Sequence, residues 1–80
     1  MTSWNYIAIR KKDGDHSYYD IHEGYYEDAE KVPSSWTTTP SIPSGETIKD
    51  LRKSLSDMYH DSFNGIYEIV NGELKVVEDD

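Results

Sequence analysis

The chain contains no cysteine, which excludes disulfide frameworks, cysteine-ligated zinc sites and thiol catalysis. Leu, Ile, Val and Phe together number fifteen in 80 residues, and the net charge is -8, a combination typical of disordered chains. No apolar run approaches the ~18 residues of a membrane span. The sequence from Met1 to Tyr6 lacks the basic and apolar segments of a signal peptide. We therefore expect a cytoplasmic protein that does not bind membranes.

Basic residues are also few, since 8 Lys and Arg stand against 16 Asp and Glu. The one basic cluster, Arg10-Lys11-Lys12, has Asp13 and Asp15 beside it. No positive stripe is therefore available for a phosphate backbone, and nucleic-acid binding is not expected. Seven acids precede Lys31 and nine follow from Glu46 onward, so the negative charge is spread over the whole chain.

Aromatic residues compensate for the low aliphatic content. The chain has seven Tyr, two Trp and one Phe, and each such side chain buries roughly 150 to 250 Å² in a core. We therefore expect an ordered protein. Its length predicts a single domain over residues 1–80, with a thin core and no large buried active-site cavity.

Alternating side chains predict two strands at the start of the chain. The first runs from Trp4 to Lys11 and carries apolar groups on both sides, as inner strands do. Lys12-Asp13-Gly14-Asp15 predicts a tight hairpin turn, because Asp-Gly adopts the positive φ angles that such turns need. The second strand runs from about Ser17 to Tyr26. One of its sides carries Tyr19, Ile21, Glu23 and Tyr25, and the other carries Tyr18, Asp20, His22 and Tyr26.

A third strand is predicted from Val32 to Thr38, with Trp36 as its apolar anchor. Pro33 excludes a long central strand there. Residues 39–45 form a stiff loop, because two prolines fix their own φ angles and push the preceding residues to extended conformations.

A helix is predicted after this loop. Thr47 followed by Asp50 resembles a capping box, and the helix is expected to end near His60. Its apolar positions recur at helical spacing, at Ile48, Leu51, Leu55, Met58 and Tyr59.

Two short strands, Ile66 to Val70 and Glu73 to Val77, then flank Asn71-Gly72, a pair that favours a type I′ hairpin. The fold class that follows is α+β. We expect an antiparallel sheet, made of a β-hairpin, a third strand and a C-terminal β-hairpin, with one helix packed on one face.

Several motifs resemble a family of small uncharacterised bacterial proteins: Trp4-Asn5-Tyr6, Tyr19-x-Ile21-His22-Glu23-x-Tyr25-Tyr26, and Pro43-Ser44-Gly45-Glu46-Thr47 followed by Leu51-Arg52. Family members tend to carry a basic residue where this chain has Ile7. The resemblance implies a bacterial origin and one domain, and it brings no activity. The predicted order of elements is more remotely similar to the N-terminal domain of HicB-type antitoxins, which contacts the toxin and usually precedes a DNA-binding module.

Chemistry-bearing residues on the second strand are His16, Asp20 and His22, which share one side and are weak candidates for a metal site. The spacing is permissive but unspecific, and a solvated strand face explains it as well. We therefore predict no metal and no cofactor. Glu23 lies among apolar neighbours, so it needs a salt bridge or a tyrosine hydrogen bond, unless it anchors a ligand beside Trp4 or Trp36.

No catalytic motif appears. The chain has no phosphate-binding Gly-rich loop, no Gly-x-Ser-x-Gly and no His-Glu-x-x-His, so an enzyme is not expected.

The sheet face that a single helix leaves open is expected to expose tyrosines. Exposed aromatic residues in an acidic field favour binding to a basic protein surface or to a second copy of the chain. We therefore expect a non-catalytic interaction module, either an adaptor or an antitoxin- or immunity-like inhibitor. The alternatives are a small-ligand or metal-binding domain and a monomer with solvated tyrosines. The expected partner-binding residues are Tyr18, Asp20, His22, Glu23, Tyr26 and Trp36.

Overall fold

A computed structural model describes residues 2–78 and shows an α+β fold with one helix and a five-stranded sheet. The elements are β1 (Thr2–Asp13), β2 (His16–Glu27), β3 (Ser35–Trp36), α1 (Ile48–Asp61), β4 (Ile66–Val70) and β5 (Glu73–Val77), with a 3₁₀ turn over Ser62–Asn64. Within residues 2–78, no helix has both the length and the apolar character required to cross a bilayer.

The sheet order is β3-β2-β1-β4-β5, so β1 is an inner strand, as predicted, and lies at the centre of the sheet. The expectation of a purely antiparallel sheet is wrong, because β1 and β4 pair in parallel, with Ala8 opposite Ile66 and Ile9 opposite Tyr67. The chain leaves the far edge at β3, crosses through α1 and returns beside β1 in the same direction. Parallel neighbours require such a crossover connection. The sheet is therefore mixed.

Both predicted hairpins form. Residues Gly14 and Asp15 connect β1 to β2, and the φ of +62° at Gly14 fits a turn whose first central residue is left-handed. Asn71 and Gly72 connect β4 to β5 with φ angles of 53° and 77°, as a type I′ turn requires.

The core lies on one face of the sheet, which we call the core face. Ile7, Ile9, Tyr67 and Leu74 are buried there, and Val32 and Trp36 pack against them. The segment before β3 crosses this face and lies against the β4–β5 turn. The core face was predicted to be open, and that prediction is wrong. The predicted third strand shrinks to Ser35–Trp36, and the residues before it cover the core.

The helix covers part of the opposite face, which we call the helix face. Its cap is as predicted, since the Asp50 amide donates to Thr47 Oγ1 at 3.1 Å. Only Met58 of the helix is buried, while Leu55 and Tyr59 are exposed, so most of the predicted apolar stripe does not pack on the sheet. At the last helical residue, Asp61 Oδ2 accepts the backbone N–H of Tyr6 at 3.1 Å.

Gly24 stands where β2, the core and the crossing segment meet. A Cβ at this position would lie 2.9 Å from Pro33 Cγ and 3.0 Å from two atoms of Ile7. We expect Gly24→Ala to lower the free energy of unfolding by about 1–3 kcal/mol, because overpacking forces its neighbours to move.

Urea unfolding followed by circular dichroism measures this change. Ser17→Ala, at an exposed position on the same strand, is the control. Equal losses of stability in both variants would contradict the packing assigned to Gly24.

Candidate functional site

A polar network joins β1, β2 and the segment after β3. Lys11 Nζ lies 3.0 Å from Asp20 Oδ2 and 2.9 Å from His22 Nε2. His22 Nδ1 lies 2.8 Å from the Thr37 carbonyl oxygen. A carbonyl only accepts and an ammonium only donates, so His22 carries its proton on Nδ1 and accepts from Lys11 on Nε2. Both nitrogens of the imidazole are therefore engaged.

This network holds the chain against the edge of β2. The Thr37 hydroxyl accepts the Glu23 amide at 3.2 Å, and the Thr37 amide donates to the Glu23 carbonyl at 3.0 Å. Farther along, the Ser41 amide donates to the Ile21 carbonyl at 2.7 Å. His22 is 2% exposed, so it lies inside the fold, where it positions the Thr37 segment.

The three weak metal candidates do not converge. His16 is exposed beside the first turn, whereas His22 is buried. The Lys11 ammonium lies between Asp20 and His22, where a cation of the proposed site would be expected. Among residues 2–78, no group of three His, Asp or Glu side chains is placed to hold a metal ion.

Glu23 lies on the helix face and accepts a hydrogen bond from the Tyr25 hydroxyl at 2.7 Å, one of the two structural arrangements predicted for it. This bond, with a smaller contribution from burial, raises the pKa of Tyr25. Glu23 also lies near Tyr6, Thr37 and Met58, in a shallow polar recess beside the helix.

The other predicted partner-binding residues are separated as well. Tyr18 is 46% exposed, near the first turn. Tyr26 is half-buried and donates to Asn5 Oδ1 at 3.0 Å, and Trp36 packs against the core. Since Glu23 lies on the helix face and His22 on the core face, the six residues do not form one surface.

An apolar row, which we call the groove floor, crosses the helix face beyond the end of the helix. Ile21 lies opposite Ala8, Ala8 lies opposite Ile66, and Ile66 lies opposite Val77. The four residues come from β2, β1, β4 and β5 in that order. Because Ala8 is small, the middle of the row is low, and this leaves an open groove of about 570 Å³ above it.

Two walls bound this groove. On one side, Ser62, Phe63 and Gly65 follow the helix. On the other lies Tyr19, directly opposite Arg10, whose Nε donates to Glu68 Oε2 at 2.8 Å. This hydrogen bond is the main cause of the raised Arg10 pKa.

Phe63 continues an exposed apolar stripe from the helix into the groove. Leu55 is 48% exposed, Tyr59 64% and Phe63 71%. The rings of Tyr59 and Phe63 meet edge to face, with centroids 5.1 Å apart. Three large apolar side chains thus lie at the surface next to an apolar groove, which is the composition of a binding surface.

The sequence did not predict a functional role for Ala8, Ile66, Val77 or Phe63. The alternation in β1 placed Ala8 on the same side as Tyr6, but the parallel pairing with β4 has no local signal in the sequence. Phe63 follows the helix in a stretch interpreted as a helix end, where a lone aromatic residue carries no pattern.

Comparison of the chain with protein-family models, with curated proteins and with solved structures finds no match.

The Lys11–His22 bond is expected to contribute to stability as a coupled pair. Lys11→Met leaves the buried Nε2 of His22 without its donor, and we expect a loss of about 1–3 kcal/mol in the free energy of unfolding. A double-mutant cycle with His22→Phe should give a coupling energy of at least about 0.5 kcal/mol.

Urea unfolding of the four proteins in the cycle measures this coupling, and Lys12→Met at an exposed neighbouring position is the control. Additive effects of Lys11→Met and His22→Phe would show that the two side chains act independently.

Tyr67 is expected to make stability depend on alkaline pH. Burial, helped by a hydrogen bond with Tyr26, raises the pKa of Tyr67 to about 12. An unfolded tyrosine loses its proton near pH ~10. The folded state therefore holds more protons in this window, and the free energy of unfolding falls as pH rises from ~10 toward ~12.

Urea unfolding at several alkaline pH values measures the slope, and the ultraviolet absorbance of tyrosinate follows the titration. Tyr67→Phe should flatten this pH dependence, whereas Tyr18→Phe at an exposed position should leave it unchanged. An identical slope in wild type and Tyr67→Phe would rule out Tyr67 as its source.

Proposed function

We propose that this protein is a non-catalytic interaction module that binds a protein partner with a basic surface in the groove beside Phe63. The observation that carries the proposal is the 71% exposure of Phe63, next to an apolar floor that the helix leaves uncovered. Water-exposed apolar surface of this kind is stabilised by a partner that covers it.

The shape of the groove suits a partner side chain or a short segment. The floor is apolar and slightly recessed at Ala8, and Phe63 and Tyr19 stand on opposite walls. Aromatic residues at the margin of a recess are frequent anchors in interfaces, because they give large contact areas at little cost in conformational entropy.

The charge of the protein favours a basic partner. The chain carries a net charge of -8, and the exposed Glu78 follows directly after Val77 of the groove floor. The basic residues in the neighbouring row of the helix face, Arg10 and Lys75, are already paired with Glu68 and Glu73. The negative field therefore steers a cationic surface toward the molecule, and this steering weakens as salt is added.

The chemistry of the groove supports binding rather than catalysis. Of the described residues that line it, only Asp20 is charged, and Asp20 lies opposite Ile9 of the core face, where its carboxylate is paired with Lys11. A general acid or base needs a proton-transfer group aimed at the bound substrate. The residues that line the groove are therefore better suited to binding than to catalysis.

The proposed class of function is the one predicted from the sequence, but the proposed binding surface is the groove and not the surface predicted on β2. The predicted surface on β2 contains the buried His22, whereas the groove is open. An antitoxin- or immunity-like role in a bacterial cytoplasm agrees with the acidic charge, the lack of cysteine and the resemblance to the HicB-type N-terminal domain.

A second candidate is a small apolar ligand. The groove volume of about 570 Å³ falls in the range of ligand pockets. Its open form and the exposed stripe that runs from Leu55 to Phe63 favour a macromolecule, which can cover both features at once.

Site-specific photo-crosslinking tests the proposal. A photoreactive phenylalanine analogue is placed at position 63 in one protein and at position 76 in another, because Val76 is also exposed, at 62%, but lies away from the groove. We expect position 63, and not position 76, to crosslink in the native host to a protein with a basic surface.

Binding of that purified protein should then weaken about tenfold or more with Phe63→Ala, as expected for loss of an aromatic anchor. Val76→Ala should leave it unchanged. The proposal fails if crosslinks to a protein other than a second copy of the chain are equal at both positions, or if Phe63→Ala binds as wild type does. Tight binding of a small apolar compound, with no crosslinked protein, would favour the second candidate.

A further inference from the structure

Strand β5 ends the sheet with an open edge. It is the last strand of the order β3-β2-β1-β4-β5. The opposite edge is β3, which has only two residues, and β2 inside it is lined by the chain from Ser34 to Ser41, whose amides at Ser34, Thr37 and Ser41 donate to β2 carbonyls. Within residues 2–78 no backbone segment covers β5 in this way. An uncovered edge is a template for pairing with another strand.

The hairpin geometry tells which backbone groups face outward from β5. Val70 and Glu73 flank the two-residue turn and form a hydrogen-bonded pair. Alternation then directs the N–H and C=O groups of Lys75 and Val77 toward β4, and those of Leu74 and Val76 toward solvent. The open edge therefore offers two N–H donors and two C=O acceptors.

A row of alternating charge runs across the helix face to this edge. Arg10 on β1 pairs with Glu68 on β4 at 2.8 Å, and Glu68 lies opposite Lys75 on β5. The row thus reads positive, negative, positive, and it stops at Lys75. Glu73 lies two residues from Lys75 on the same strand face, 3.6 Å away between Nζ and Oε2.

We propose that a second copy of the chain adds to this edge, with the two β5 strands antiparallel and Leu74 opposite Leu74 of the second copy. In this register the outward N–H and C=O groups of each Leu74 bond to those of the other. Lys75 then lies opposite Glu73 of the second copy, and the same pair forms again by symmetry.

The charges select this register over its neighbours. Shifting the two-fold axis of the dimer from Leu74 to Lys75 places two lysines directly opposite each other, which is destabilising. Shifting it to Val76 moves Glu73 away from the facing strand and loses both ion pairs. The register at Leu74 alone continues the row of alternating charge across the seam, from Lys75 to Glu73 of the second copy.

The net charge of -8 on each copy opposes association over long range. At physiological salt this repulsion is screened beyond ~8 Å, whereas the two cross-strand pairs are in contact. Dimerisation is therefore expected to need moderate salt. The inference goes beyond the proposed function, because the pairing at Leu74 uses a residue that does not line the groove, and binding there does not require a groove partner.

A charge-swap experiment tests the dimer. Sedimentation equilibrium at physiological salt, from micromolar to millimolar protein, should show a reversible dimer for the wild type. Glu73→Lys and Lys75→Glu place like charges opposite each other, and each alone should raise the dissociation constant about tenfold or more. Mixing the two variants restores opposite charges at both pairs and should restore the dimer.

Val76→Pro is a further variant. It removes an outward N–H without removing a bond to β4 and should also weaken the dimer. Circular dichroism of each variant confirms that the fold persists. A wild type that stays monomeric throughout, a dimer that ignores both charge changes, or a mixture that remains monomeric would overturn the proposal. A failed groove crosslink would leave these outcomes unchanged, so the two proposals fail separately.

Discussion

The central position of β1 is the constraint on which the rest of the structure depends. β1 pairs antiparallel with β2 along its whole length and in parallel with β4 at Ala8 and Ile9. Because side chains alternate across a strand, this placement sends Ile7 and Ile9 to the core face and Ala8 to the helix face. One side of β1 thus builds the core, and the other provides the groove floor.

A chain with few aliphatic residues covers these two faces unequally. The core face receives Val32 of the segment before β3, together with Trp36, and the network of Lys11, His22 and Thr37 holds the segment after β3 along β2. The helix covers only part of the other face and leaves an open groove above the row that contains Ala8. Some apolar side chains therefore remain exposed, and they include the stripe that ends at Phe63.

Local patterns predicted the local structure well. The capping residue Thr47, the turn at Asn71-Gly72 and the inner position of β1 follow from residue chemistry and periodicity, and all three are present. The parallel pairing of β1 with β4 was missed, because strand order depends on contacts between distant segments. The groove at Ala8 depends on that order, and the burial of His22 depends on the position of the chain after β3. Because β1 carries apolar groups on both sides, its pattern does not predict which face of the sheet the helix covers.

The central claim is that the groove beside Phe63 is a binding surface for a basic partner. Methyl NMR of the protein during titration with the crosslinked partner tests it most directly. The account predicts that the methyl signals of Ile21, Ile66 and Val77 on the groove floor shift first, while those of Ile7 and Ile9 in the core stay in place. Shifts confined to residues outside the groove, with the floor signals unmoved, would contradict it.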